Sequence, residues 1–236
     1  MRTVGFVTIG QSPRPDMMEE FERALPGLKL AQRGALDDLT EAEITALAPS
    51  PGDEVLVSRL RSGRPVRLAH RQIDGRVQVC LDRFAQEGVG LAVVLCTGAF
   101  PGLAFGGVLL RPHRVLPHVV AAVCEGLPAN APVRLGVMVP DEGQIRQAES
   151  RWSGRAAATV VAASPYGDSR TIAGAAQALE AAAVSLVVMD CLGYTREMQQ
   201  TVARATGVPV VLATGAVALV VREVAGAGAA VPAGGA

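Results

Sequence analysis

Leu91-Ala92-Val93-Val94-Leu95-Cys96-Thr97-Gly98-Ala99 and Ser185-Leu186-Val187-Val188-Met189-Asp190-Cys191-Leu192-Gly193-Tyr194 share one layout, with their cysteines 95 residues apart. Each begins as a short, nearly unbroken apolar run, the pattern of a strand buried on both faces of a parallel sheet. Each then passes through a cysteine into a turn of small residues. Ligands of open parallel α/β sheets bind outside the carboxyl ends of the strands. Cys96 and Cys191 are therefore delivered to places where ligands bind. Two thiols facing one small molecule from opposite sides suit removal of a proton from one face of a carbon and return of a proton to the other.

Outward from these runs, short apolar stretches alternate with longer helix-like ones, which is the order of a parallel α/β protein. In the first half the pattern predicts a strand over 3–9, a helix over 15–25 and a short helix over 37–47 with Thr40 and Glu43 as a capping box. A strand over 54–60 carries Arg59 and Arg61, which suit an edge position. A helix over 70–86 with Ile73, Val77, Leu81 and Phe84 at helical spacing then leads to the Cys96 strand. The second half repeats the theme. It has a strand over 133–140, a helix over 142–152, a strand over 157–163, a helix over 172–183 and the Cys191 strand. A helix over 196–206, a strand over 208–213 and a helix over 215–224 complete it. The order of strand, helix, strand, helix and cysteine strand thus occurs twice, an internal duplication of pattern rather than of residue identity. The tail 225–236 is only Ala, Gly, Val and Pro and is expected to be disordered.

Composition narrows the function. The 22 basic and 22 acidic residues cancel, and no basic block appears, which argues against nucleic acid. No run approaches the roughly 20 apolar residues of a membrane span. The start of the chain lacks a signal-peptide pattern. Cys80, Cys96, Cys124 and Cys191 have no CxxC spacing, so reduced thiols and a cytoplasmic location are expected. His70, His113 and His118 lack ligand spacing, so no metal is expected. No glycine-rich nucleotide loop follows the first strand.

Other candidates sit in the strand-end loops. Gly10-Gln11-Ser12-Pro13-Arg14 follows the first strand; Ser12 is a hydrogen-bond donor for a substrate carboxylate, and Arg14 a bidentate partner for it. The same loop also reads as an ordinary turn with Pro15 at the first helical position. Thr97 and Gly98 beside Cys96, Gly193, Tyr194 and Thr195 after Cys191, and Thr214-Gly215 at the last turn offer further donors. Each of these is equally the residue type of a helix cap. Asp141 and Glu142 read as a helix N-terminus. Cys80 and Cys124 fall within helical patterns and read as structural. The segment 100–107, rich in Phe and Gly, is either a lid over the cleft or a connection.

The segments Thr8-Ile9-Gly10-Gln11-Ser12-Pro13-Arg14-Pro15-Asp16, Val139-Pro140-Asp141-Glu142-Gly143-Gln144 and Met189-Asp190-Cys191-Leu192-Gly193-Tyr194 carry a further likeness. Through them the chain resembles the AroM family, within the aspartate/glutamate/hydantoin racemase superfamily, over nearly its whole length. The resemblance implies an α/β fold of two pseudo-symmetric lobes, each a parallel sheet flanked by helices, with the active site between them. We place the lobes at 1–118 and 119–224, with the last helix a candidate to pack back on the first lobe.

The resemblance further implies catalysis by Cys96 and Cys191 as acid and base, without cofactor; the strand-end loops offer Gln11, Ser12, Arg14, Thr97, Gly98, Gly193, Tyr194 and Thr214 as the groups that hold a small anionic substrate. For assembly it leaves a homodimer or larger homo-oligomer open. Glutamate racemases carry Cys-Asn-Thr and Cys-Thr-His at the two turns. Here the turns read Cys96-Thr97-Gly98 and Cys191-Leu192-Gly193, with no histidine beside the second thiol. Three readings therefore stay open: a two-cysteine racemase, epimerase or isomerase; a single-cysteine decarboxylase or cis-trans isomerase; and a binding protein that keeps the cleft without turnover. Thiol chemistry requires thiolates, for which amides at following helix N-termini are the expected stabilising source.

Overall fold

The computed structural model describes residues 3–128, 132–154 and 157–226. Two four-stranded parallel sheets form its frame. The first runs in the order β2-β1-β5-β6, built from β1 (Thr3–Thr8), β2 (Lys29–Gly34), β5 (Leu91–Leu95) and β6 (Val108–Leu110). The second runs β8-β7-β9-β10, from β7 (Arg134–Val139), β8 (Ala157–Ala162), β9 (Leu186–Met189) and β10 (Val210–Leu212). Read as equivalents, β1 matches β7, β2 matches β8, β5 matches β9 and β6 matches β10. The duplication of pattern is thus a duplication of topology. Between β2 and β5 the first lobe inserts an antiparallel hairpin, β3 (Val55–Arg59) and β4 (Pro65–Ala69).

The central strands are buried on both faces, as their apolar runs require. In β5, Leu91, Val93 and Leu95 enter one core and Ala92 and Val94 another, the period-two alternation of a strand. The first of these cores is common to both sheets. It holds Met17 and Phe21 of α1 (Pro15–Ala24), Leu116 and Val120 of α4 (Pro112–Glu125), Trp152 of α5 (Ile145–Trp152), and Val217 and Val221 of α8 (Ala213–Ala225). α8, the last described helix, therefore packs back on the first lobe, and α4 spans the expected division at 118/119. The outer faces are covered by α2 (Glu41–Ala46) and α3 (Asp74–Gln86) on the first sheet, and by α6 (Ser169–Ala181) and α7 (Arg196–Thr206) on the second.

Several local expectations change. β2, β4 and β6 are additional strands. The helix expected over 37–47 begins only at Glu41, with Thr40 and Glu43 forming the capping box. Asp37 lies in a turn instead, where its carboxylate accepts from the backbone N–H groups of Ser12 and Gly34. The segment 100–107 is a pinned connection: Phe100 and Leu103 are buried in the outer core of the first lobe, and the Ala104 backbone exchanges hydrogen bonds with the Gln78 side chain. Cys80 lies in that same core, and Cys124 packs at the margin of the shared one. No helix among the described residues is long and apolar enough to cross a membrane. The tail beyond 226 lies outside the described residues.

Candidate active site

The carboxyl ends of β1, β5, β7, β8 and β9 converge on one cleft between the sheets, as the general rule for open parallel sheets demands. Both Cys96 and Cys191 line it, together with Arg14, Ser58, Thr97, Gly98, Pro140, Tyr166 and Asp190. The enclosed volume is about 30 Å³, room for little more than a water molecule. The lobes are thus closed on one another.

The thiols are placed alike. Cys96 directly follows β5, and Gly98 N–H donates to its Sγ at 3.3 Å. Cys191 lies two residues past β9, and Gly193 N–H donates to its Sγ at 3.3 Å. The stabilising amides come from these turns, not from helix N-termini as expected; α7 starts only at Arg196, capped by Thr195. Nor are the thiols depressed. Burial pushes Cys96 up to about 12 and Cys191 up to about 11, against the pull of the glycine amides. The Cys191 charge raises Cys96 further, and Arg14 draws Cys191 down.

Arg14 is the buried cation of the cleft, but not as a free bidentate fork. Its Nε and Nη2 donate to the two oxygens of Asp16 at 2.9 and 2.8 Å, and Nη2 also donates to Tyr166 Oη at 2.9 Å. Nη1 makes only longer bonds, 3.4 Å to Thr8 Oγ1 and 3.3 Å to Ser58 Oγ. Burial opposes ionisation of Asp16, yet the Arg14 bonds hold its carboxyl below the ordinary range.

Four expected binding residues are directed elsewhere. Ser12 donates its N–H and hydroxyl to Asp37, at 2.7 and 2.6 Å. Gln11 accepts from Arg61 N–H and donates to the Leu36 carbonyl. This loop is a braced turn that delivers Arg14, and neither residue is among the described residues lining the cleft. Tyr194 is buried in the second lobe, its hydroxyl donating to the Ala163 carbonyl at 2.7 Å. Thr214 donates to the Leu192 carbonyl and so holds the turn after Cys191. Gly193 is in place but serves sterically as well, because its bare Cα accommodates the Tyr166 hydroxyl. Thr97 reaches across the lobes, donating its hydroxyl to the Asp190 carbonyl at 3.1 Å.

Sequence reasoning missed a second buried charge. The Asp190 side chain is 1% exposed and its Oδ2 accepts from Trp152 Nε1 at 2.9 Å and from Arg151 Nη2. Arg151 also donates through Nη1 to the Thr97 carbonyl at 2.9 Å, so one guanidinium ties both cysteine turns together. Tyr166 was missed too. It follows β8 and is faced by both Arg14 and Arg59, at 5.5 and 5.7 Å; burial raises its phenol well above the ordinary range. The Pro165-Tyr166-Gly167 turn after a strand, holding one of only two tyrosines, was the available signal. Among the described residues no group of three or more His, Cys, Asp or Glu is arranged to hold a metal.

Two matching lobes, parallel sheets and a cleft at their strand ends define a racemase-like α/β fold, and solved structures agree. The chain is similar to glutamate racemase isoform RacE1 from Bacillus anthracis, with TM-score 0.61 and 13% identity over 94% of this chain and 81% of that one. It is similar to arylmalonate decarboxylase, at 0.57 and 18% over 99% and 94%. Allantoin racemase from Pseudomonas fluorescens gives 0.52 and 11% over 94% and 90%. No curated protein sequence matches. The family model described as AroM protein matches residues 4–225, and the chain belongs to that family.

Proposed function

We propose that the protein is a cofactor-independent racemase, epimerase or isomerase, in which Cys96 and Cys191 exchange protons with the α-carbon of a small carboxylate or amide. One observation carries this reading: two thiols at equivalent strand ends of the two lobes line the same cleft, each receiving a turn amide at 3.3 Å. Their mutual repulsion divides the work. Once one is ionised the other is held as a thiol, which is the state a base-and-acid pair needs. The unassisted α-proton is weakly acidic, so the developing anion needs donors. Arg14 Nη1, held only by bonds of 3.3–3.4 Å, and Ser58 Oγ, which accepts one of them, are the cleft groups suited to that task, because Thr97, Gly98 and Gly193 spend their donors on holding the two cysteine turns. Entry of a substrate requires the lobes to part, which breaks the Arg151–Thr97, Thr97–Asp190 and Arg14–Tyr166 contacts.

An asymmetry favours a second reading, in which Cys191 works alone as proton donor in a decarboxylase or cis-trans isomerase. Each thiol is drawn down by an arginine, Cys191 by Arg14 and Cys96 by Arg151, yet burial leaves Cys96 the higher, at about 12 against about 11. The test is proton NMR in D₂O with pooled amino acids, hydantoins and small dicarboxylates, for wild type, Cys96→Ala and Cys191→Ala. Loss of one α-proton signal that depends on both cysteines is the expected result. Exchange that survives Cys96→Ala supports the single-cysteine reading, and the absence of exchange throughout the pool removes the racemase reading for those compounds.

A further inference from the structure

The hairpin of β3 and β4 has no equivalent in the second lobe, where α6 alone joins β8 to β9 among the described residues. It forms part of the cleft wall: Val57 and Ser58 of β3 line the cleft, and Ser58 Oγ accepts from Arg14. Directly opposite Val57 in the ladder stands Arg67 of β4, which reaches out of the first lobe. Its Nη2 donates to Asp141 Oδ1 at 3.1 Å, and its Nε lies 3.0 Å from Asp141 Oδ2. Two further bonds cross the same seam. Gln144 Nε2 donates to the Val55 carbonyl at 2.9 Å, and Gln147 donates to Glu54. The approach is close, since a Cβ on Gly143 would lie 3.2 Å from both Arg67 Nη2 and Val55 Cγ2.

The two joints between the lobes differ in kind. The sheets are held together by the shared apolar core. The hairpin is not: its Leu56, Val66 and Leu68 belong to the outer core of the first lobe, which holds no second-lobe residue among those described. Its grip on the second lobe is polar. The Arg67 side chain is half-exposed, and the seam borders an open hollow of about 620 Å³ lined by Asp53, Glu54 and Arg67 on one side and Gly143, Arg146 and Gln147 on the other. Exposed ion pairs are weak joints, and elements with few apolar contacts to a neighbour are the first to come away from it.

We propose that the hairpin is the lid of the cleft and that its seam with residues 141–147 is the latch. When the seam lets go, the hairpin carries Val57 and Ser58 off the cleft while the shared core stays packed, so the parting of the lobes starts here. The latch is electrostatic in part, and added salt loosens it. This rests on the cleft being where a ligand enters, as proposed above, and not on proton transfer there. The test reads access to the thiols rather than exchange, so the two readings fail separately.

The closed cleft has no room for iodoacetamide, so the alkylation rate of Cys96 and Cys191, followed residue by residue by mass spectrometry at fixed pH, reports how often it opens. Cys80, in the outer core, reports general loosening in the same sample. Arg67→Met accelerates both cleft thiols about 1.5- to 5-fold, the range for an exposed ion pair, and leaves Cys80 unchanged. Arg67→Asp, which sets like charges against each other at Asp141, accelerates them further. Arg170→Met removes an exposed pair with Asp168 inside the second lobe and changes nothing. Raising NaCl from about 0.01 M to about 1 M accelerates wild type and leaves Arg67→Met as it is, because the screened pair is the one already absent. Four results overturn the proposal: cleft thiols indifferent to Arg67, acceleration of Cys80 to the same degree, an equal effect of Arg170→Met, or the same salt response in wild type and Arg67→Met. Acceleration of one cleft thiol alone also overturns it, since a lifted hairpin uncovers both. Latch-dependent access without α-proton exchange retires the proton-transfer reading and keeps this one; exchange in a protein whose thiol access ignores Arg67 does the reverse.

Discussion

Replacing Gly193 by alanine should do more damage than adding a methyl group suggests. A Cβ at this position would lie 2.3 Å from Tyr166 Oη and 2.7 Å from its Cζ. Ordinary contact needs more than an ångström beyond that, so the phenol has to leave its seat. Overpacking of a buried site costs about 1–3 kcal/mol, and loss of the Arg14–Tyr166 hydrogen bond, with its charged donor, adds about 1.5–3 kcal/mol. A total near ~4 kcal/mol corresponds to a Tm fall of roughly 8–16 °C for a chain of this size. Displacing Tyr166 also uncovers Cys191, so alkylation by iodoacetamide should accelerate there while Cys80, buried in the outer core, stays slow. The double-mutant cycle with Tyr166→Ala isolates the cause: Tyr166→Ala alone loses its own packing, and adding Gly193→Ala then costs almost nothing further. Additive losses in the cycle would refute the reasoning, since they would mean that Gly193 is not kept bare by Tyr166.

Arg151→Met leaves the Asp190 carboxylate buried beside Trp152 alone, and breaking a buried pair in this way costs about 3–5 kcal/mol; thermal unfolding should show it, with part of the loss recovered in Arg151→Met/Asp190→Asn. Trp152→Phe removes one donor to the same oxygen and should cost about 1.5–3 kcal/mol, measured by urea unfolding. Thiol ionisation supplies a test by pH. Because the folded-state values of Cys96 and Cys191 are raised, to about 12 and 11, their contribution to stability is complete below the unfolded value of about 8.5 and is lost as pH rises through the folded ones. Wild type should therefore lose Tm between about pH 8.5 and 11 more steeply than Cys96→Ala/Cys191→Ala. At pH 8 alkylation of Cys191 should be roughly 200-fold slower than that of an unperturbed thiol; equal rates would show that burial does not hold the proton on.

What the sequence disclosed and what it hid follow from how each residue does its work. The cysteine strands were legible because burial on both faces leaves unbroken apolar runs, and α7 was legible to its last residue because Thr195 caps it and Gly207 ends it in the left-handed region. β2 escaped because Lys29-Leu30-Ala31-Gln32-Arg33-Gly34 lies at a sheet edge, and its pairing with β1 is a matter of backbone rather than side-chain pattern. Cys96, Cys191 and Arg14, which the structure places on the cleft wall, were legible as candidates because thiols and guanidinium at strand ends carry chemistry in their own right. Asp190, Arg151 and Tyr166 were not, since their roles depend on partners 38 to 152 residues away. Ser12 reads in the sequence as either a ligand contact or part of a turn for the complementary reason: its polar groups are satisfied by Asp37, a partner that no local pattern links to it.

The shared inner core has a consequence for how this protein is made. Met17 and Phe21 of α1 share one core with Val217 and Val221 of α8, and α8 packs on α1 and α4, so the first lobe cannot seal its inner surface until α8 has left the ribosome. At synthesis rates of roughly 5–20 residues per second, that apolar face waits some ten seconds or more for its cover. A fragment ending before α8 would retain both sheets and both thiols, yet would present the greasy side of α1 and α4 to any neighbouring chain. α8 acts as a clasp, and a ribosome that stalls before it releases a sticky molecule rather than a smaller working one.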